Sequence, residues 1–200
     1  PSFTPSKQPR VPSAMITICI ASFLACASAC PPGEKPPSSH PELVARWLAA
    51  RSDSGVVATT SIQRGGAAWS NAISFADGCT GIPLLYLSKL DETARDLHAN
   101  AHATITLSEA YLGADACKGV DPQDPTCAKL SLYGQITEAR NQTKALHTLS
   151  IRHPAMLKWP SSHGFRAYVM DPILDVFVLC AYGGARPVSP AQYLNATLPI

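Results

Sequence analysis

The chain has 200 residues, of which 46% are hydrophobic and 15% are charged, and its formal net charge is +2. This length and composition are typical of one globular domain that buries a sizeable core. Because the basic residues are scattered singly and the net charge is small, the composition argues against a nucleic-acid-binding protein.

The N-terminal segment is predicted to be a leader that is removed on export. Residues 16–29, ITICIASFLACASA, contain no charged residue. This stretch is too short to cross a bilayer as a helix and has the length of a signal-peptide core, so no integral membrane span is expected. The small residues Ala27 and Ala29 suit signal peptidase and assign residues 1–29 to the leader. The other interpretation is an apolar helix of the mature fold.

A linker and a single domain are predicted after the leader. Residues 30–40 are rich in proline and are expected to form an extended linker, which leaves residues 41–198 for the domain. In the first predicted helix, Pro41 suits the first turn, and Val44 and Trp47 lie on one apolar face.

The remaining elements are predicted mainly as strands, because they contain β-branched or alternating apolar residues. Asp91 is expected to cap the second helix, and Asp171-Pro172 is interpreted as a turn that divides the last strand segment in two. The predicted helices are 41–53, 91–100 and 141–152, and the predicted strand segments are 55–62, 66–78, 81–88, 101–113, 128–139 and 165–184. Seven strands with short helices between them favour a mainly β fold, a small closed antiparallel barrel.

The cysteines are expected to pair, because export places a chain in an oxidising compartment. Cys117 and Cys127 flank the short polar turn KGVDPQDPT and are predicted to form a disulfide, which on the chain-entropy model stabilises the fold by about 3 kcal/mol. Cys79 and Cys180 are either free, buried or joined to each other, and the state of Cys30 is left open.

Two Asn-x-Thr sequons agree with export. They begin at Asn141 and Asn195, in polar segments that are expected to be exposed. Both asparagines are therefore predicted N-glycosylation sites.

Two segments near the C-terminus resemble the signature of the CREG family of secreted glycoproteins. They are IRHPAMLKWPSSHGF at residues 151–165 and AYGGARPVSPAQYLNAT at residues 181–197. The segments 55–78, 81–110 and 117–137 are similar to the family's strands and cysteine loop, so the resemblance covers about residues 41–198. The sequence departs from the family pattern at Cys180-Ala181, where an acidic residue is usual.

The resemblance implies the FMN-binding split barrel of the pyridoxamine 5'-phosphate oxidase-like proteins, assembled as a homodimer. It also implies a secreted or endolysosomal protein that has the flavin fold without the oxidase activity, with a glycan-dependent receptor such as the mannose-6-phosphate receptor. We therefore predict a non-catalytic CREG-like glycoprotein that acts through surface and receptor interactions. The alternatives are an FMN-dependent oxidoreductase of the same class and a haem-binding relative on the same fold.

A flavin site needs cations or backbone amides to hold the FMN phosphate, which is nearly a dianion. Flavin-binding split barrels supply them largely from the second and third strands, but residues 67–87 contain neither arginine nor lysine. Thr60, Ser88 and Lys89 are the candidate residues of the phosphate region, a sparse set for a dianion. No cofactor is therefore expected, and FMN is the alternative.

The histidines and serines of the 151–165 loop are candidate metal ligands and nucleophiles. His153 and His163 have no cysteine or carboxylate between them, so they are interpreted as hydrogen-bonding to the loop backbone; one of them is the ligand in the haem alternative. Ser161 and Ser162 lie near His163 and Asp171 in sequence, but no glycine-flanked elbow surrounds them. No catalytic residue is assigned.

The same loop is predicted to have an architectural role. Its prolines restrict the backbone, Met156 and Trp159 are expected to fill the end of the barrel, and Arg152 or His163 is expected to hold the loop down. This role requires no bound ligand, so no metal site is predicted.

Overall fold

Four α-helices and a seven-stranded sheet form the regular structure of residues 33–198, the part of the chain that the computed structural model describes. The leader predicted at residues 1–29 lies outside the described residues. The strands are β1 (Ser54–Ser61), β2 (Ala67–Ser74), β3 (Leu84–Leu87), β4 (His102–Ser108), β5 (Lys129–Glu138), β6 (Arg166–Leu179) and β7 (Arg186–Val188). The α-helices are α1 (Pro41–Arg51), α2 (Glu92–Ala99), α3 (Gln142–Arg152) and α4 (Pro190–Asn195). Within residues 33–198, no helix has the length and apolar character needed to cross a bilayer.

The sheet is antiparallel throughout and curls into a barrel. Its strands lie in the order β2-β1-β4-β5-β6-β3, and β7 pairs with β6. The two ends of this order meet where Ala76, which follows β2, and Leu84 of β3 exchange backbone hydrogen bonds of 3.2 and 2.7 Å. Alternate strand residues such as Val57, Ile105 and Leu132 are fully buried and form the core. The prediction of a mainly β barrel is confirmed.

The last predicted strand segment differs from the structure, because Asp171-Pro172 does not divide it. β6 runs through both residues, and β5 pairs with β6 on either side of them. The pairing register shifts at Gly134, which forms a bulge beside Pro172. A side chain at Gly134 would collide with the Pro172 carbonyl oxygen, so this close approach requires glycine. The bulge accommodates a proline, which donates no backbone hydrogen bond, and the seventh strand is β7 instead.

The first two helices form as predicted, and polar contacts attach them to distant segments. Arg46 of α1 is buried and donates to the backbone carbonyls of Cys79 at 2.7 Å and Leu194 at 3.1 Å. Asp91 caps α2 by accepting a hydrogen bond of 2.8 Å from the Thr93 N–H, as expected from its position before the helix. α1 therefore joins the loop that precedes β3 to α4.

Part of the predicted linker packs against the domain. The Trp47 indole N–H donates to the Gly33 carbonyl oxygen at 3.0 Å. Lys35 forms a salt bridge with Glu109 and also donates to the Thr126 carbonyl oxygen at 2.7 Å. Glu109 is only 5% exposed, and a buried carboxylate requires a cation or hydrogen-bond donors. The Lys35 ammonium therefore explains why this segment lies on the domain surface.

The predicted disulfide between Cys117 and Cys127 is present, with a Cα–Cα distance of 4.7 Å. It closes the loop that connects β4 to β5. Cys79 is also disulfide-bonded, whereas Cys180 is a buried free thiol, so these two cysteines are not joined to each other. Burial raises the pKa of the Cys180 thiol, which keeps it protonated at neutral pH.

Candidate functional site

The segment that follows α3 has a buried part and an exposed part. It contains two short 3₁₀-helices, Pro154–Lys158 and Ser161–His163. Met156 is 2% exposed, so it is buried as predicted, but it packs in a small apolar cluster beside α3 that is separate from the barrel core. Trp159 was expected to fill the barrel end with Met156, but it is 36% exposed. The expectation for Trp159 is wrong, because Pro160 and the second 3₁₀-helix carry the chain along the surface.

Arg152 anchors this segment to the end of α1. Its guanidinium donates to the carbonyl oxygens of Ser52 at 2.7 Å and Ala50 at 2.8 Å. It also lies 3.4 Å from the carboxylate of Asp77, which is almost completely buried. Carbonyls at the C-terminus of a helix lack partners within the helix, so Arg152 satisfies groups that would otherwise be unpaired. Of the two residues predicted to hold the loop, Arg152 does so through these contacts.

The exposed part of the segment contributes to an aromatic cluster. Tyr86 of β3 lies with its ring centroid 5.1 Å from Phe165 and 5.8 Å from Trp159, and the Trp159 and Phe165 rings are 4.9 Å apart. Gly164 adopts φ +61°, and the aliphatic chain of Lys89 occupies the space that a side chain at Gly164 would need. Glycine at this position therefore lets the chain turn back and bring Phe165 onto Tyr86.

A pocket of about 460 Å³ opens beside this cluster, between β2 and the start of α2. We call it the aromatic pocket. Its lining includes three aromatic side chains, Tyr86, Trp159 and Phe165, and three polar ones, Ser74, Ser88 and Asp91. The other lining residues are small or aliphatic. This volume is in the range of small-molecule sites, and a mainly apolar lining that includes aromatic rings and a few polar groups is typical of them.

The three residues predicted for a flavin phosphate do not all lie at this pocket. Ser88 lines it. Lys89 is exposed and packs its aliphatic chain on Gly164, and Thr60 is exposed on β1, opposite Ala68 of β2. Their role in phosphate binding stays a prediction.

The electrostatics of the aromatic pocket are set by Asp91, the charged residue of its lining. Its carboxylate accepts from the Thr93 N–H at 2.8 Å and from the Asn71 amide at 3.4 Å. The Ser88 hydroxyl oxygen accepts from the Leu90 N–H at 3.1 Å. The pocket therefore offers a partly compensated carboxylate and hydroxyl groups, and its lining contains no lysine or arginine.

The histidines of the loop differ in their contacts. His153 donates from Nε2 to the Phe75 carbonyl oxygen at 2.9 Å, in agreement with the backbone-bonding interpretation. His163 is exposed and lies 6.0 Å from the Phe165 ring. Within residues 33–198, the one group with metal-ligand spacing is Glu109 with Cys117 and Cys127. Because those cysteines share a disulfide, the group has no thiolate to offer a metal.

A second surface was missed by the sequence reasoning. Cross-strand neighbours of β2, β1, β4, β5 and β6 place ten residues on the outside of the sheet: Ala72, Val56, Thr106, Ser131, Phe177, Ser70, Ala58, Thr104, Tyr133 and Asp175. We call this the outer sheet face. All ten are at least partly exposed, and among them only Asp175 is charged. Small residues on the exposed side of three successive strands were the signal in the sequence.

The position of Tyr86 was also a missed signal. In β3 the buried residues Leu85 and Leu87 alternate with the half-buried residues Leu84 and Tyr86. An apolar run in which an aromatic residue takes an outward position points to a surface site. Asp91 was recognised only as a helix cap, because its place in the pocket depends on the distant loop.

Comparison with known proteins places this fold in a family. The family described as CREG, beta-barrel matches residues 36–195. Protein CREG1 of Homo sapiens is 36% identical, over 86% of this chain and 80% of the human protein, and Protein CREG1 of Mus musculus is 37% identical, over 82% and 77%. The heme binding protein from Mycobacterium smegmatis has a similar fold, with a TM-score of 0.65 and 20% identity over 82% of this chain and 62% of that one. With its curled antiparallel sheet and these matches, the chain belongs to the CREG family of split-barrel proteins.

Proposed function

We propose that this protein is a non-catalytic CREG-type glycoprotein of the secretory or endolysosomal lumen, which acts through surface and receptor contacts. The family membership supports the non-catalytic assignment, since the CREG resemblance implies the flavin fold without the oxidase activity. The observation that carries the proposal is the charge of the aromatic pocket. This pocket adjoins the predicted phosphate region and has a carboxylate in its lining.

The charge argument compares what FMN needs with what the pocket supplies. The FMN phosphate is nearly a dianion, and the lining of the aromatic pocket offers it no lysine or arginine and has Asp91 as its charged residue. Lys89 is exposed, and an exposed charge pair contributes only about 0–1 kcal/mol. Micromolar affinity requires about 8 kcal/mol, which ring stacking and backbone amides would have to supply almost alone. This comparison of free energies supports the proposal that the protein does not bind FMN.

Titration calorimetry with FMN tests this part of the proposal. We expect no saturable binding at tens of micromolar FMN, in the wild-type protein and in Lys158→Ala alike. A one-to-one complex that Lys89→Ala or Ser88→Ala weakens would contradict the proposal and favour the FMN-dependent oxidoreductase.

The haem alternative has a separate test. His163 is exposed beside the aromatic cluster, whereas His153 is engaged with the Phe75 carbonyl oxygen. Haem titration followed by visible absorption should give no spectrum that depends on either ring. A Soret band that His163→Ala abolishes and His153→Gln leaves intact would favour the haem-binding relative.

We also propose a homodimer in which the outer sheet faces of two copies pack together. Tyr133 and Phe177 on this face are 40% and 47% exposed, and most of their neighbours are small and uncharged. A surface with few charges of this kind suits a symmetric interface, which buries apolar area and leaves few charges unpaired. Light scattering at micromolar concentration should give the mass of a dimer, and a monomer mass would contradict this assignment.

The glycosylation proposal agrees with the geometry of both sequons. Asn141 caps α3 through its Oδ1, which accepts from the Lys144 N–H at 2.9 Å, so Nδ2, the atom that carries an N-glycan, is not needed for the cap. Asn195 is exposed at the end of α4. Mass spectrometry of protein secreted from a eukaryotic host should find glycans at both, and receptor binding should be lost after enzymatic deglycosylation. Unoccupied sequons would contradict the proposal.

A further inference from the structure

The aromatic pocket has a combination of groups that the proposed function does not use. Tyr86, Trp159 and Phe165 contribute ring surface, and their centroids lie within 5.8 Å of one another. Trp159 remains 36% exposed although its neighbours offer apolar contacts. An exposed ring surface that adjoins a concave, partly polar space is more characteristic of a ligand site than of a core.

The polar groups of the pocket have unused hydrogen-bonding capacity. Within residues 33–198, no hydrogen bond involves the Tyr86 hydroxyl, the Trp159 indole N–H or the Ser74 hydroxyl. Ser88 accepts one hydrogen bond and keeps its hydroxyl proton for a ligand. Asp91 has lone pairs beyond those that Thr93 and Asn71 use. The pocket therefore presents donors and acceptors side by side with ring faces.

We infer that the aromatic pocket binds a neutral saccharide unit. A pyranose ring has one face of C–H groups, which packs on aromatic rings, and a rim of hydroxyls, each of which both donates and accepts hydrogen bonds. Ring surface from Trp159, Tyr86 and Phe165 matches the first feature, and Asp91 with the two serine hydroxyls matches the second. The site needs no metal and no cation.

The charge at the pocket favours a neutral ligand over an organic cation. Aromatic rings with a carboxylate can also bind an ammonium group. Here, however, Asp91 sits at the N-terminus of α2, where the helix dipole is positive, and it already accepts from a backbone N–H and an amide. Lys89 follows Ser88 in the chain and packs next to the aromatic cluster on Gly164. A compensated carboxylate accepts a hydroxyl hydrogen bond, but it attracts a cation weakly.

The inference is independent of the receptor proposal, which concerns the glycans on this protein rather than a glycan bound by it. The saccharide is either a free oligosaccharide or the terminal unit of a glycan on another protein. The recognition chemistry is the same for both sources. The experiment therefore includes one arm for each.

Tryptophan fluorescence and saturation-transfer NMR test the inference directly. The full, folded protein is titrated with a panel of neutral hexoses, N-acetylhexosamines and their short oligomers. We expect at least one to bind with a millimolar dissociation constant, with transfer strongest to its ring C–H protons and a change in emission from Trp159. In the second arm, an intact glycoprotein that carries the same unit is compared with its enzymatically deglycosylated form.

Paired variants locate the site. Trp159→Ala should weaken binding by at least about tenfold, Trp159→Phe should restore part of it, and Tyr86→Phe, which removes only a hydroxyl, should weaken it by about threefold. The matched control is Tyr182→Phe, which removes the hydroxyl of an exposed tyrosine far along the chain that bonds to Asp124 instead. If Trp159→Ala does not fold, as judged by near-ultraviolet circular dichroism, Tyr86→Phe and Ser88→Ala carry the test.

Three results would overturn the inference. The first is that no neutral saccharide in either arm binds at tens of millimolar. The second is saccharide binding that the pocket variants leave unchanged, whether or not Tyr182→Phe reduces it. The third is Trp159-dependent binding of tetramethylammonium or FMN without binding of any saccharide. FMN binding in a protein that also binds a saccharide at the aromatic pocket contradicts only the proposed function, so the two failures are distinguishable.

Discussion

The two halves of the 151–165 segment have adjacent sequences but opposite environments. Arg152, His153 and Met156 make buried contacts with the rest of the fold, whereas Trp159 and His163 lie at the surface. Both halves contain side chains that are common in functional sites, such as histidines, so composition does not distinguish them. The difference teaches that the first half is held against the rest of the fold and that the second half is accessible to solvent.

The largest difference between the halves is expected at Arg152. Arg152→Ala removes hydrogen bonds to two carbonyls at the end of α1 and a partner of the buried Asp77. We therefore expect the free energy of unfolding to fall by about 3 kcal/mol. Urea denaturation followed by circular dichroism measures this change. Arg51→Ala, at an exposed arginine in the last turn of α1, is the control and should change stability by less than about 0.5 kcal/mol. Equal effects would contradict the anchoring role.

Met156 and Leu157 allow a comparison between neighbouring residues of one 3₁₀-helix. Met156 is 2% exposed and Leu157 is 63% exposed. We expect Met156→Ala to destabilise the protein by about 2–3 kcal/mol, because it leaves a cavity, and Leu157→Ala to cost less than about 0.5 kcal/mol. Thermal melts of the two variants measure the difference. A similar loss in both would mean that the buried half extends further than the structure shows.

The outer sheet face provides a third environment, on the outside of the barrel wall rather than in a pocket. Thr104→Arg introduces a charge at its centre, where two copies would meet, and should weaken dimerisation at least about tenfold with little change in the stability of the monomer. Sedimentation equilibrium measures the dissociation constant. Lys158→Glu, which changes a charge outside this face, is the control. A dimer that tolerates Thr104→Arg must use a different surface.

The two loop histidines give the smallest expected difference. His153→Gln lengthens or breaks the hydrogen bond to the Phe75 carbonyl oxygen and should cost about 1 kcal/mol, whereas His163→Gln should be nearly neutral. Denaturation midpoints of the two variants make the comparison. A larger loss of stability in His163→Gln than in His153→Gln would contradict the division of the segment into a buried first half and an exposed second half.

Local sequence signals predicted the elements that depend on a few neighbouring residues. Asp91 was recognised as a cap because the donor it binds, the Thr93 N–H, is two residues away. The apolar face of α1 and the Cys117–Cys127 disulfide were predicted for the same reason. Helical spacing, and two cysteines on either side of a short turn, are signals that lie within about a dozen residues of sequence. The family resemblance supplied the barrel topology.

The features that local signals missed depend on contacts between distant residues. The continuation of β6 through Pro172 depends on a bulge at Gly134, which lies in the neighbouring strand. The docking of Lys35 depends on a carboxylate buried 74 residues later. No pattern within a single segment contains this information.

The sequence by itself determined the fold class, the cap of α2 and the short disulfide, because periodicity, capping and loop closure act over short stretches of chain. Only the tertiary structure decided which half of the 151–165 segment is buried and which residues surround Ser88. Trp159 and Asp91 are 68 residues apart in the chain, yet both line the aromatic pocket. Whether an aromatic ring is buried in a core or lines a site depends on which distant elements pack around it, here β3, α2 and the 151–165 loop.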